Sequence, residues 1–99
     1  MVIYLNCRNQ ILKMNRLFEG TLWTSAVYPR EVVKRTLGNN AAALVFVHNH
    51  PSGNPNPSQD DLSITKKLKE AVTFIDVSVH DHLIIAGNDV YSFVDHGIL

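Results

Sequence analysis

A continuous apolar run that leads into a proline-rich loop constrains this chain more than any other feature. Residues 41–47 (AAALVFV) contain no polar side chain, which is typical of a buried strand. Three prolines and one glycine between Pro51 and Pro57 then exclude regular structure. Ser58 follows as a favourable helix N-cap, with Asp61 at the third helical position. The sequence therefore predicts a strand, a stiff loop and a helix in direct succession.

Two histidines and one carboxylate stand at the ends of these elements. His48 and His50 come at i and i+2 after the strand, so their side chains would point the same way. Neutral imidazoles and a carboxylate are the protein ligands of an open zinc site. We therefore interpret His48, His50 and Asp61 as metal ligands. The alternative is that Ser58 and Asp61 form only a capping box, which by itself would explain both residues.

The rest of the chain predicts the element order β-β-α-β-α-β-β, and hence an α/β (α+β) fold with helices packed on a mixed sheet. The predicted elements are a hairpin over residues 1–21 with its second strand over 10–21, a helix from Pro29 that stops at 38–40, the strand over 41–47, a helix over 59–74, a strand over 76–86 and a last strand over 90–94. Trp23 and Tyr28 flank a linker and are interpreted as core residues.

A second H-x-H pattern, His80-Asp81-His82, lies in the fourth predicted strand. Its two histidines would share one strand face. We interpret them as structural or supporting residues and not as ligands, because no loop carboxylate accompanies them.

Composition limits the classes of function. Ninety-nine residues predict one domain over 1–99, and nine basic against nine acidic residues argue against strong direct nucleic-acid binding. A single cysteine, Cys7, excludes an internal disulfide and favours a cytoplasmic protein. No run approaches the ~20 apolar residues of a membrane span, and no signal peptide is recognisable. An exposed strand at Met1 would favour edge pairing, for example in a homodimer.

The spacing His48-x-His50-x7-Ser58-x2-Asp61 resembles the JAMM (MPN-plus) metalloprotease signature, and the flanks resemble its RadC-type branch. The matching flanks are YPREVV, NNAAALVFVHNHPSGNPNPSQDD, Thr65, DHLIIAG and a Tyr-Ser-Phe tail. The resemblance implies a JAB/MPN sandwich similar to cytidine deaminases, and Zn²⁺ held by the two histidines and Asp61. Metal-bound water would then attack an amide of a peptide or isopeptide substrate. Ser58 would donate to that water or to the oxyanion, so that its capping role would be an alternative and not a companion.

Two further expectations follow from this resemblance. Asp81 and His82 match an Asp-His of the family and would orient the site. The family's general-base glutamate stands just before the first strand, which here begins at Met1. We therefore expect an N-terminally truncated member, in which Glu31 is the best-placed substitute base. Between the two explanations of Glu31, we favour a first-turn charge on the helix that opens at Pro29.

Other functions use similar residues. A catalytically weakened interaction module, attached to DNA repair as the RadC name suggests, is the main alternative. An iron oxygenase with two histidines and one carboxylate uses the same ligand types, although no cosubstrate anchor is evident. A zinc deaminase is disfavoured, because its paired cysteines are absent from the sequence.

Overall fold

The computed structural model describes residues 1–16 and 28–99. Its elements are β1 (Val2–Leu5), β2 (Ile11–Asn15), α1 (Pro29–Gly38), β3 (Ala43–Asn49), α2 (Gln59–Thr73), β4 (Ser78–Ala86) and β5 (Asp89–Ser92). The predicted order is therefore confirmed. The end of the predicted second strand, residues 17–21, and Trp23 lie outside the described residues. Tyr28, which we expected in the core, is exposed directly before α1.

The strands form a five-stranded sheet in the order β2-β1-β3-β4-β5. Strands β3 and β4 are parallel, with α2 in the connection between them, and the other three pairs are antiparallel. The sheet is thus mixed, as predicted. The expectation of an exposed strand at Met1 is wrong, because β1 lies between β2 and β3 and its backbone is paired on both sides. The edges of this sheet are β2 and β5.

The first helix begins at Pro29 and ends at Gly38, within the predicted stop at 38–40. Pro29 occupies the first turn of α1, where its missing N–H is not required. Gly38 is still helical, and the left-handed residue that ends the helix is Asn40, with φ of 56°. Asparagine tolerates this conformation better than most residues. The Ala41 N–H then donates to the Thr36 carbonyl oxygen at 3.1 Å, which closes the helix end.

One apolar cluster joins the sheet to both helices. It contains buried side chains of β1, β3, α1 and α2 together with the residue that precedes β4: Val2, Tyr4, Val32, Leu44, Phe46, Leu68, Val72 and Val77. Leu44 and Phe46 occupy alternate positions of β3, and the next position on that face is His48. The core face of β3 therefore leads directly to the first candidate ligand. No helix in the described ranges is long and apolar enough to cross a membrane.

Candidate metal centre

The end of β3 fixes the two histidines of the motif. His48 belongs to β3 and lies beside Ile84 of β4. His50 follows the strand directly, and its N–H donates to the Ile85 carbonyl oxygen at 2.9 Å. Because both backbones are held by the parallel neighbour β4, the two imidazoles start from fixed positions.

The loop after His50 turns back at once towards α2. The Gly53 N–H donates to the His50 carbonyl oxygen at 3.1 Å, and Gly53 has a φ of 81°, which glycine adopts without strain. The Asn54 carbonyl oxygen then accepts from Nδ1 of His50 at 2.9 Å. Since a carbonyl only accepts, Nδ1 carries the proton, and in the neutral ring Nε2 presents an electron pair.

The first turn of α2 supplies the carboxylate. The predicted capping box is confirmed: the Asp61 N–H donates to Ser58 Oγ at 3.0 Å, and the Ser58 N–H donates to Asp61 Oδ2 at 2.8 Å. Burial raises the pKa of Asp61, but the hydrogen bond from the Ser58 N–H and the neighbouring imidazoles outweigh burial, so its pKa is lowered overall. Asp61 is therefore an ionised carboxylate held in one orientation.

Three candidate ligand atoms converge at this point. Nε2 of His48 lies 2.9 Å from Nε2 of His50 and 3.4 Å from Asp61 Oδ1. Nε2 of His50 lies 3.0 Å from Asp61 Oδ2. In a tetrahedral zinc site with bonds of about 2.0–2.1 Å, two ligand atoms stand roughly 3.4 Å apart. The three side chains are thus placed to bind one metal ion, as predicted.

The chemistry of the donor set also fits a cation. Burial lowers the pKa of His48 to about 4, so its imidazole is neutral near pH 7. If His48, like His50, carries its ring proton on Nδ1, the two Nε2 atoms present electron pairs to each other at 2.9 Å, an arrangement that a cation between them stabilises. The carboxylate of Asp61 adds one negative charge on the same side. Zinc, with its preference for nitrogen and oxygen ligands, fits these donors.

Ser58 caps the helix, and the chemistry of a hydroxyl removes the reason to treat this role and a donor role in the site as alternatives. Capping uses an electron pair of Ser58 Oγ, which accepts from the Asp61 N–H. The hydroxyl hydrogen is not used in that bond, because a hydroxyl can accept and donate at the same time. The capping role and a donor role in the site are therefore compatible.

The two histidines of the second H-x-H pattern lie in different surroundings, which corrects the expectation that they share one face. His80 is exposed, and its Nε2 lies 2.8 Å from Asn9 Oδ1 in the β1–β2 turn. His82 is fully buried. The pairing of β4 with β3 shifts register just before Asp81, which ends the simple alternation of side chains at His80.

Asp81 and His82 reach the site indirectly. The Asp81 carboxylate accepts from the backbone N–H groups of His82 and Val94 and from the Ser92 hydroxyl, and so connects β4 to β5 and the following turn. Nε2 of His82 lies 2.7 Å from Nδ1 of His48. Our interpretation of His82 as a supporting residue therefore agrees with its contact to a candidate ligand.

Glu31 and Thr65 differ in their relation to the candidate site. Glu31 lies in the first turn of α1 and is not part of the ligand cluster found within residues 1–16 and 28–99, so its role as a base stays a prediction. The sequence predicts no role for Thr65 in the site, but its hydroxyl lies 2.7 Å from Nδ1 of His82. The sequence offers two signals for Thr65: its place among the residues that resemble the family, and its spacing of four residues from Asp61, which places both on one helix face.

Comparison with known proteins agrees with this geometry. A family model described as the RadC-like JAB domain matches residues 1–98. UPF0758 protein YfjY of Escherichia coli (strain K12) is 50% identical over 99 residues, which are 100% of this chain and 62% of that protein. UPF0758 protein YeeS of the same organism is 51% identical over 98 residues, 99% of this chain and 66% of that protein. UPF0758 protein HEAR2468 of Herminiimonas arsenicoxydans is 46% identical over 99 residues, 100% of this chain and 44% of that protein.

Proposed function

The chain belongs to the RadC-like JAB domain family, and on that premise we propose that it acts as a zinc-dependent hydrolase that cleaves an amide bond of a peptide or isopeptide. One observation carries the proposal: His48, His50 and Asp61 bring their ligand atoms to one point at the end of β3. Because the chain spans 62% and 66% of two of its relatives, the proposal concerns the chemistry of this domain.

The charge of the donor set suits hydrolysis. When bound, zinc lowers the pKa of a coordinated water molecule towards about 7 and polarises a carbonyl group. His48 and His50 contribute neutral imidazoles, and Asp61 contributes the one negative charge. A divalent ion held by these three side chains would keep a net positive charge, which favours Lewis-acid chemistry.

The exposed hydroxyl of Ser58 stands beside this donor set. Its oxygen is fixed by the hydrogen bond from the Asp61 N–H, so its remaining hydrogen can be directed at a carbonyl oxygen of the substrate. A preorganised donor of this kind stabilises negative charge that develops on that oxygen. Asp61 itself is unsuited to be the general base, because both of its oxygens already face the histidines and Oδ2 also accepts from the Ser58 N–H.

The first test is the metal content of protein purified without added metal, with zinc and iron measured together. We expect about one zinc per chain in the wild type, because three protein ligands converge, and loss of zinc in His48→Ala. His80→Ala is the matched control, because His80 is an exposed histidine of the second H-x-H pattern and lies outside the ligand cluster.

Three results would contradict the proposal. Failure of the wild type to bind zinc even after zinc is added would remove the basis for a hydrolase. Equal zinc in the wild type and His48→Ala would place the metal elsewhere. Iron in place of zinc would favour the oxygenase that uses the same ligand types.

A further inference from the structure

A chain of short hydrogen bonds runs from α2 through the sheet to the candidate metal centre. Thr65 Oγ1 lies 2.6 Å from the Asp61 carbonyl oxygen and 2.7 Å from Nδ1 of His82. Nε2 of His82 lies 2.7 Å from Nδ1 of His48. The opposite nitrogen of His48, Nε2, is the atom that faces His50 and Asp61. Three side chains thus connect a helix carbonyl to a candidate ligand atom.

The position of each proton in this series of hydrogen bonds follows from the Asp61 carbonyl oxygen, at which the series begins. The Asp61 carbonyl oxygen can only accept, so the Thr65 hydroxyl donates to it. Thr65 Oγ1 has no second hydrogen, so its contact with His82 requires a proton on Nδ1 of His82. A neutral His82 then has an electron pair on Nε2, which accepts from Nδ1–H of His48. His48 is left with an electron pair on Nε2.

Burial keeps His82 neutral and fixes its ring. Both Thr65 and His82 are buried, at 2% and 0% exposure. Burial disfavours the charged form of an imidazole, so the ring of His82 is neutral. The ring stacks on Phe93 with centroids 4.4 Å apart and meets Phe46 edge to face at 5.9 Å. Because the aromatic rings hold this plane, His82 cannot turn to exchange the roles of its two nitrogens without disturbing the core.

We propose that Thr65 and His82 are positioning residues, which form a buried relay that holds His48 in its Nδ1–H tautomer and so presents the Nε2 electron pair to the metal. The inference rests on the proposed function in taking His48 as a ligand. The relay also explains why His82, although close to the centre, is not a ligand: its Nε2 electron pair is directed at His48.

Removal of the Thr65 hydroxyl should exchange the donor and the acceptor in the hydrogen bond between His82 and His48. In Thr65→Val the shape is kept, but Nδ1–H of His82 loses its acceptor. A buried N–H without an acceptor is costly, so His82 should move its proton to Nε2 and donate to Nδ1 of His48. His48 must then carry its own proton on Nε2, the atom needed for the metal. Thr65→Ser keeps the hydroxyl and should keep the relay.

The test uses the metal-free protein first. Two-dimensional ¹⁵N NMR of the imidazole rings near pH 7.5 reports which nitrogen carries each proton. We expect the Nδ1–H tautomer at His48 and His82 in the wild type and in Thr65→Ser, and a shift towards Nε2–H at both rings in Thr65→Val. Zinc affinity, measured by competition with a chromophoric chelator, should fall by about 10-fold or more in Thr65→Val and be largely restored in Thr65→Ser. Thr73→Val, an exposed position at the end of α2, is the control and should bind zinc like the wild type.

Two outcomes would overturn the relay. One is an Nε2–H tautomer of His48 in the metal-free wild type. This measurement requires no variant, so it is decisive even if Thr65→Val does not fold. The other is a folded Thr65→Val with unchanged tautomers and unchanged zinc affinity. Both differ from failure of the proposed function, which would appear as absence of zinc binding in the wild type while the tautomers remain as predicted.

Discussion

Asp61 shows how one side chain can serve both structure and chemistry. Its Oδ2 accepts from the Ser58 N–H and faces His50, while Oδ1 faces His48. The capping box and the candidate metal ligands therefore form one arrangement, and the start of α2 orients the carboxylate. Ser58 occupies the complementary position, since its oxygen caps the helix while its hydrogen can serve the site.

Two substitutions of Ser58 separate these roles. Ser58→Ala should lower the free energy of unfolding by about 1 kcal/mol, because alanine is a poor N-cap, whereas Ser58→Gly should lower it by only a few tenths of that amount. If the hydroxyl donates to the substrate, both variants should slow zinc-dependent hydrolysis of a peptide amide by roughly 10²–10³-fold. Urea unfolding and steady-state kinetics measure the two effects.

Ser63→Ala, an exposed serine within α2, is the control and should change neither quantity strongly. A Ser58→Gly variant with wild-type turnover would show that Ser58 acts only as a helix cap.

At the scale of elements, the pairing of β1 with β3 determines what can approach the metal centre from the amino-terminal side. Val2 lies opposite Phe46, and the Met1 amino nitrogen donates to the Val47 carbonyl oxygen at 2.7 Å. Continuing this antiparallel register, a residue added directly before Met1 would lie opposite His48 and share its face. The third added residue would lie on the same face, and the second on the other.

This register predicts where a general base can be introduced. An N-terminal extension with glutamate at the first or third position before Met1 should increase zinc-dependent hydrolysis of fluorogenic peptide amides. A positioned general base typically contributes about 10²–10⁴-fold. The same extension with glutamate at the second position is the matched control, because its carboxylate would point to the face of the sheet opposite to His48. Equal rates of hydrolysis for all three extensions would show that a glutamate before β1 does not act as the general base.

At the scale of the whole molecule, the fold buries two imidazoles in their neutral form. Burial lowers the pKa of His82 to about 3 and of His48 to about 4. In the unfolded chain both rings would bind protons as the pH falls below about 6.5. Between about pH 6.5 and pH 3 the unfolded state therefore binds more protons than the folded state. The free energy of unfolding decreases as the pH is lowered through this range.

Urea unfolding of the protein in a metal chelator measures this linkage. Between pH 7.5 and pH 5.5 we expect the free energy of unfolding to fall by on the order of 1–2 kcal/mol for each of the two buried histidines. His82→Phe keeps an aromatic ring beside Phe93 and should reduce the pH dependence. His80→Gln alters an exposed histidine and should leave it as in the wild type. Equal stability of the wild type at both pH values would contradict the burial of neutral rings.

The sequence by itself determined the elements and the ligand set. The apolar run before His48, the prolines after His50 and the cap at Ser58 are local signals, and each acts within a few residues of its own position. They were sufficient to predict β3, α2 and the three residues that converge, because the loop between them is short. The resemblance of the H-x-H-x7-S-x2-D pattern added the family.

Only the tertiary structure decided which distant residues support that set. His82 is 34 residues from His48 in sequence, and the parallel pairing of β3 with β4 brings the two rings to hydrogen-bonding distance. The register shift before Asp81, which separates the surroundings of His80 and His82, is a property of strand pairing and has no local signature. The placement of β1 inside the sheet likewise depends on its two partners. The sequence thus determined the candidate ligands, whereas long-range pairing decided how their protons and orientations are fixed.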